Sequence, residues 1–443
     1  MFSTHAGRRK GIDVALTRAD GRDALGRWGH SDSRFATSLL NVVDQCNGIF
    51  EIRSPRRGRY RFHAISIMPR HLRTVTWTRA ETPVDRLALA IATHGFGSRW
   101  PLPSGPVPDD VFANLLSLAE LDRLLGAMAE LVSKRLFPVT EDQRRSLTNV
   151  HSGWLHHDLI VERLLQRVGD CFDRRGIEFR VLKGTAIAHI LYPDPSWRVF
   201  GDLDLLIRSD QFDAAVRLAR EEMGGVQPVP ELRPGFDHEF GKEALIRVGD
   251  IELDLHRTFV TGPFGLTIDP HRLFQGETSF EVGGRRFAAL EPSALFLHLC
   301  YNVALGDHPV RLCSLRDLSI AHERLEFDIS TIPAIARDWR AIAVVQRAAQ
   351  LAVDAFDLDP AHDLSALSRL AVPRSEAWLL RSYLTSARSY SRPLASLAVI
   401  PGVRARFRYT RALLLPSAEY LRSRGWSERS HLRRAADRLI RRE

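Results

Sequence analysis

The feature that most constrains this chain is a pair of carboxylates, one residue apart, at the start of an apolar strand. Asp202 and Asp204 open the run that continues to Ile207. Because side chains alternate along a strand, both carboxylates point to one face, while the intervening leucines point to the other. Two acids on a solvent-facing side of such a strand can hold two divalent cations about 3.5–4 Å apart, which clamp a phosphoryl group during its displacement. We therefore expect a cation-dependent site for phosphoryl transfer here.

A glycine turn lies upstream of the acids. A short apolar strand over 179–182 runs into Lys183, Gly184 and Thr185, and a helical segment follows. We expect Thr185 to cap that helix, whose free backbone N–H groups would bind an anion. The three turn residues are therefore predicted to receive the phosphates of a nucleotide. Arg198, just before the acid pair, is predicted to offset their negative charge.

A third acid comes from a predicted hairpin. Two strand-like segments flank Gly249-Asp250, a two-residue turn signal. In the second segment Glu252, Asp254 and His256 share one face, so Asp254 can meet the first two acids across neighbouring strands. Three acids at short range raise one another's pKa values unless a cation joins them, which predicts two Mg²⁺ ions, with Mn²⁺ as a substitute. His256 either supports an acid or is an ordinary strand histidine.

These motifs resemble those of a known superfamily. Gly184-Thr185, the pair Asp202 and Asp204, and the later Asp254 are similar to the Gly-Ser, paired Asp and single Asp of polymerase-beta-type nucleotidyltransferases. The residues around these motifs resemble the bacterial "uncharacterised nucleotidyltransferase" family. The resemblance is carried by Leu182-Lys183-Gly184, Tyr192-Pro193, Arg198, Asp254-Leu255-His256 and Arg316-Asp317-Leu318.

The resemblance implies a transferase that moves a nucleoside monophosphate from an NTP, with ATP as the expected donor. It implies Asp202, Asp204 and Asp254 as catalytic acids and metal ligands, and Lys183, Gly184, Thr185 and Arg198 as nucleotide-binding residues. The acceptor is open, and a peptide natural product or another small molecule is expected. Two alternatives remain: a toxin-type or RNA-modifying nucleotidyltransferase, and a non-catalytic biosynthetic partner that has kept the fold.

The expected fold is α/β (α+β), with a small mixed β-sheet core flanked by N- and C-terminal helical regions. We predict four parts: a basic extension over 1–80, a helical region over 81–160, the nucleotidyltransferase core over 161–290, and a C-terminal helical domain over 291–443 with an arginine-rich tail. The extension is predicted to contain a hairpin over 49–63. It is either a small appended β-structure or, with a helix over 36–46, a winged-helix module.

Composition limits the class of protein. Of the 443 residues, 44% are hydrophobic and 26% are charged, which is ordinary for a globular protein. We expect a cytoplasmic protein without a membrane span, because no apolar run approaches about 20 residues. The four cysteines lack zinc-type spacing, and the 17 histidines are scattered.

The basic excess lies near the C-terminus. From Arg404 onward there are twelve arginines and four acidic residues, against a net charge of +9 for the whole chain. Such a tail could bind nucleic acid or another anion, or it could be a solvated arginine-rich helix. We also consider Arg311 and Arg316 as phosphate contacts or salt-bridge partners.

Overall fold

The structure is a computed structural model, and it describes residues 12–17, 23–28, 49–54, 58–63, 82–96, 100–306, 309–385 and 391–425. The chain divides into two compact units, Met1–Val75 and Thr76–Glu443. Three of the cysteines, Cys171, Cys300 and Cys313, are free and buried.

The first unit contains a four-stranded antiparallel sheet in the order β2-β1-β3-β4. Its strands are β1 (Ile12–Thr17), β2 (Asp23–Trp28), β3 (Ile49–Ser54) and β4 (Gly58–His63). The predicted hairpin is present, since Ser54 stands opposite Gly58 in the register of β3 and β4. The helix predicted over 36–46, and with it the winged-helix reading, lies outside the described residues.

The second unit contains a six-stranded mixed sheet in the order β7-β8-β6-β5-β10-β9. Its strands are β5 (Phe179–Val181), β6 (Leu203–Ile207), β7 (Glu243–Val248), β8 (Ile251–His256), β9 (Thr278–Val282) and β10 (Arg285–Ala289). The pairs β6/β8 and β5/β10 are parallel, and the others are antiparallel. The predicted hairpin at Gly249-Asp250 forms. Gly283-Gly284 also predicts a two-residue hairpin at a sheet edge, and β9 and β10 form it there.

Helices precede the sheet. They are α1 (Pro83–Ala92), α2 (Asp109–Leu121), α3 (Leu125–Ser133) and α4 (Glu141–Arg174). The apolar spacing of the sequence predicts the last helix only over 154–173, whereas it starts at Glu141. Its start is a capping box, in which the Thr140 hydroxyl accepts the Gln143 N–H and the Gln143 side chain accepts the Thr140 N–H. The first half of α4 is mostly polar, and its short apolar stripe consists of Leu147, Val150 and Trp154.

The sequence predicts helix caps at Thr185 and Ser209, and both predictions are wrong. The helix after the first strand of the core is α5 (Lys183–Leu191), and Leu182 precedes it, so Thr185 lies inside the first turn. The next helix is α6 (Phe212–Glu221), which follows a single 3-10 turn over Ser209–Gln211. Neither the Thr185 nor the Ser209 hydroxyl has a hydrogen-bond partner among the described residues, so neither side chain caps its helix.

Short helices and a C-terminal helical region complete the second unit. They are α7 (Phe236–Glu239), α8 (Pro263–Leu266), α9 (Pro292–Leu305), α10 (Leu312–Arg324), α11 (Ile332–Asp338), α12 (Ile342–Phe356), α13 (Asp363–Ser368), α14 (Arg374–Leu384), α15 (Ser391–Val399), α16 (Val403–Leu414) and α17 (Ala418–Ser423). One apolar core joins α1–α3 to α9–α14. Within the described part of the chain, none of the helices has the length and hydrophobicity needed to cross a membrane.

The described part of the arginine-rich region packs on the loop over 227–241. Tyr409 of α16 stacks on Phe236, with 5.9 Å between ring centroids, and Arg408 forms an ion pair with Glu239. The Pro- and Gly-rich sequence over 227–241 predicts a loop. The structure places the short helix α7 in it, and α7 contacts α16. The residues after 425 lie outside the described part of the chain, so binding of nucleic acid by the tail stays a prediction.

Candidate active site

Strand register places two of the predicted acids side by side. In the parallel pair β6/β8, Asp204 stands opposite Asp254. Asp202 immediately precedes β6 and, by strand alternation, projects from the same face as Asp204. Asp254 therefore lies next to the acid pair in the sheet, as the sequence predicts.

Asp204 is the most tightly held of these acids. Its Oδ1 accepts hydrogen bonds from Lys183 Nζ and His256 Nε2, each at 2.6 Å. Burial alone would raise the pKa of Asp204, but the Lys183 ammonium and the His256 hydrogen bond hold that pKa well below its usual range. The prediction of a solvent-facing strand is wrong for Asp204, which is 2% exposed, because β6 is flanked by strands on both sides and buried along its length.

The pKa values of Asp202 and Asp254 are shifted in the opposite direction, upward. Burial, together with the carboxylates Glu243 and Asp204, raises the pKa of Asp254 to about 7. Burial and Asp204 also raise the pKa of Asp202. The cluster therefore combines one firmly ionised acid with two that resist ionisation without a nearby cation.

The donor atoms fit a divalent cation. Ligand atoms of Asp204, Asp254 and His256 lie within 4.8 Å of one another. Asp204 Oδ2 and Asp254 Oδ1 are buried and have no hydrogen-bond partner among the described residues. Buried carboxylate oxygens without a partner are costly, and oxygen is the ligand type that Mg²⁺ and Mn²⁺ prefer. His256, which the sequence left open, supports an acid.

The predicted phosphate-binding turn is more enclosed than expected. Gly184 and Thr185 are buried, and Lys183 has a left-handed backbone with φ of 43°. A methyl group at Gly184 would lie 2.6 Å from Phe200 Cβ, so glycine is required for the helix to approach the segment before β6. The nucleotide-binding roles of these residues stay predictions.

Arg198 has a different partner from the one predicted. Its Nε and Nη2 each donate to Asp317 Oδ2 at 3.1 Å, and Tyr192 donates to Asp317 Oδ1 at 2.7 Å. All three residues are buried. Arg198 is thereby paired with an acid of α10, and its predicted nucleotide-binding role stays a prediction. The physical reason is that Asp317, distant in sequence, supplies the counter-charge that a buried guanidinium needs.

Arg316 also departs from expectation. It is 8% exposed, and its Nη1 donates to the carbonyls of Ala92 and His94 at 2.7 Å each. These carbonyls lie at and just after the C-terminus of α1, where a cation is favoured by the helix dipole. Arg316 therefore joins two helical regions and is neither a phosphate contact nor a surface salt bridge.

A cleft of about 670 Å³ opens beside Asp202, and most of its wall was missed by sequence reasoning. Its lining residues are Glu120, Arg123, Asn149, Val150, Gly153, Trp154, His157, Gly201, Asp202 and Glu252. His157 Nε2 and the Gly201 carbonyl are 2.9 Å apart, and Trp154 Nε1 donates to Glu120 at 3.0 Å. Most of these residues come from α2 and α4, where no motif marks them. Besides Asp202, only Glu252 carried a signal, since it shares its strand face with Asp254.

A second group of side chains has donor atoms close enough together to be considered as metal ligands. Donor atoms of His322, Glu323 and His362 lie within 4.8 Å of one another. However, His362 Nδ1 accepts the Leu364 N–H at 3.1 Å and so caps α13, which places the ring proton on Nε2. A metal-bound histidine instead donates its second N–H and ligates through a free lone pair. His362 therefore fits a helix cap better than a metal site.

Comparison with known proteins identifies the family of the chain. No curated protein matches the chain. Among solved structures, the antibiotic-resistance factor ANT(2'')-Ia is similar at 19% identity over 42% of this chain and 96% of that one, with a TM-score of 0.30. Residues 110–357, more than half of the chain, match the family described as "uncharacterised nucleotidyltransferase". The chain therefore belongs to the uncharacterised nucleotidyltransferase family and is a transferase of mixed α/β fold.

Proposed function

We propose that the protein transfers a nucleoside monophosphate from an NTP, with ATP as the expected donor, to a hydroxyl, amine or phosphate of a peptide natural product or another small molecule. The observation that carries the proposal is the side-by-side placement of Asp204 and Asp254, each with a buried carboxylate oxygen that has no hydrogen-bond partner in the described part of the chain. Membership of a nucleotidyltransferase family supports the class of reaction.

Each residue of the site has a separate role in the proposed reaction. Asp202, Asp204 and Asp254 would hold the cations, and Mg²⁺ or Mn²⁺ bound there would supply charge neutralisation at the reacting phosphate. Lys183 and His256 orient Asp204 by bonding its Oδ1, which leaves Oδ2 available. Asp254 orients the acceptor and takes its proton as the acceptor bonds to the α-phosphorus and pyrophosphate leaves. Gly184 and Thr185 position the phosphates at the start of α5.

Replacement of single acids tests this assignment. We expect Asp204→Asn and Asp254→Asn each to lower transfer from an α-labelled NTP by at least about a hundredfold, since catalysis of this kind is mostly positioning and electrostatics. Calorimetry should also show weaker binding of Mn²⁺, because each change removes a charged ligand. The acceptor mixture would be a small-molecule extract, with products identified by mass spectrometry.

Asp250→Asn is the matched control. Asp250 lies in the β7/β8 turn, is exposed, and forms no ion pair with any described residue. Its replacement changes net charge by the same amount and should leave both transfer and Mn²⁺ binding as in the wild type. Full transfer by Asp254→Asn would refute the assignment of the third acid.

A further inference from the structure

Arg123 is the one Lys or Arg among the described residues that line the cleft beside Asp202. It lies in the turn between α2 and α3, and its guanidinium carbon is 4.1 Å from the centre of the Trp154 ring. On another side lies Gly201, where a methyl group would be 2.9 Å from Arg123 Nη2. Gly201 directly precedes Asp202, so the guanidinium lies at the edge of the acid pair.

The charge of Arg123 is not balanced by an acid in contact with it. Lys183 and Arg198 each pair with a buried aspartate. Arg123, in contrast, has no carboxylate oxygen within 4.0 Å among the described residues, and its Nη1 is buried without a hydrogen-bond partner. Burial and the neighbouring Arg311 lower the pKa of Arg123. A partly buried cation of this kind is stabilised by an anion that a ligand brings.

We propose that Arg123 binds the phosphate chain of the nucleoside triphosphate in this cleft, held in position by Trp154 and Gly201. The inference rests on the proposed nucleotidyl transfer, and it gives Arg123 the charge-offsetting role that the sequence suggested for Arg198. A planar guanidinium can donate two parallel hydrogen bonds to phosphate oxygens, and it stacks on an aromatic ring at the same time. Both geometries suit a side chain with one face on Trp154.

The backbone at Arg123 allows a clean test. Its φ is 58°, and the Arg123 and Leu124 N–H groups donate to the Glu120 and Ala119 carbonyls, which is a Schellman motif. Glycine is the residue that this motif favours. Arg123→Gly therefore removes the side chain without disturbing the turn, and its thermal unfolding temperature should equal or exceed that of the wild type.

The chain supplies a matched control for this substitution. Arg135 follows α3 in the same motif, with φ of 58° and N–H donation from Arg135 and Leu136 to the Val132 and Leu131 carbonyls. Arg135 is exposed and does not line the cleft. Arg135→Gly should match Arg123→Gly in stability while keeping wild-type affinity for nucleotide within about twofold.

Binding would be measured by calorimetry with Mg²⁺ and an ATP analogue whose α,β-bridging oxygen is a methylene group, so that no transfer occurs. The corresponding analogues of GTP, CTP and UTP would be compared, and the tightest would be used for the variants. Arg123→Gly should weaken binding by at least about tenfold, because a charged hydrogen-bond donor to phosphate is lost. Arg123→Lys should restore part of the affinity.

Gly201→Ala adds an independent test through a double-mutant cycle. The three atoms nearest to a new methyl group belong to the Arg123 guanidinium, so the change should weaken nucleotide binding only when Arg123 is present. In the Arg123→Gly background, Gly201→Ala should have no further effect.

Unchanged affinity in Arg123→Gly, beside clear binding by the wild type, would overturn this inference and leave the proposed reaction standing. Equal losses in Arg123→Gly and Arg135→Gly would also overturn it. Failure of the wild type to bind any of the four nucleotides would overturn both proposals.

Discussion

At the scale of single residues, burial sets the protonation of acids near the cleft. Asp158 of α4 is 6% exposed, and its Oδ1 accepts the Phe200 N–H at 3.0 Å. Burial raises the pKa of Asp158 to about 7. In the unfolded chain that pKa is about 4. The stability that Asp158 contributes is therefore fully present below about pH 4 and is lost as the pH rises through about 7.

Asp158→Asn should remove this dependence while keeping an oxygen for the Phe200 N–H. We expect the free energy of unfolding of the wild type to fall relative to the variant between pH 4 and 7, by at most about 1.4 kcal/mol per pH unit. Urea denaturation at pH 5 and pH 8 measures the difference. Asp250→Asn is the control and should follow the wild type. A difference between wild type and Asp158→Asn that does not change with pH would contradict the prediction.

At the scale of secondary-structure elements, two helix glycines differ in their surroundings: one lies against a neighbouring element and the other on open surface. Gly126 of α3 packs on the 3-10 turn Pro195–Trp197, and a methyl group there would lie 2.3 Å from the Ser196 carbonyl oxygen. Gly153 of α4 is different, because a methyl group would meet nothing within 4 Å.

Alanine at these two positions should have opposite effects. Gly126→Ala should lower the free energy of unfolding by about 1–3 kcal/mol, because the backbone of the turn must move away. Gly153→Ala should raise it by about 0.5–1 kcal/mol, since alanine suits a helix interior better than glycine. Urea denaturation of both variants checks the pair. A Gly126→Ala protein as stable as the wild type would mean that α3 and the turn are not in contact.

At the scale of the whole second unit, the buried network of Tyr192, Arg198 and Asp317 joins the segment before β6 to α10. Asp317→Ala should lower the free energy of unfolding by about 3–5 kcal/mol, because Arg198 is left as a buried charge without its partner. The double variant Arg198→Met, Asp317→Leu should recover much of that loss. Chemical denaturation of the single and double variants measures both changes.

Nucleotide binding by the double variant then tests the phosphate-binding role that the sequence predicts for Arg198. If Arg198 only connects the sheet to α10, the folded double variant should bind the triphosphate analogue as the wild type does. A folded double variant with greatly weakened binding would return Arg198 to the phosphate site.

The sequence by itself determined the parts of the site that follow from local rules. Strand alternation put Asp202 and Asp204 on one face, and the Gly249-Asp250 turn fixed the hairpin that carries Asp254. These inferences hold because the side-chain period of a strand and the geometry of a two-residue turn depend on neighbours only a few residues away.

Only the tertiary structure decided which arginines near the acids have an acidic partner. Arg198 is paired with Asp317 of α10, and Arg123 lines the cleft beside Asp202 from the turn after α2. No periodicity or motif indicates either relation, because each depends on how helices distant in sequence pack against the sheet. A guanidinium buried during that packing pairs with an acid that the fold brings near it. A guanidinium left without an acid can instead bind an anionic group of a ligand.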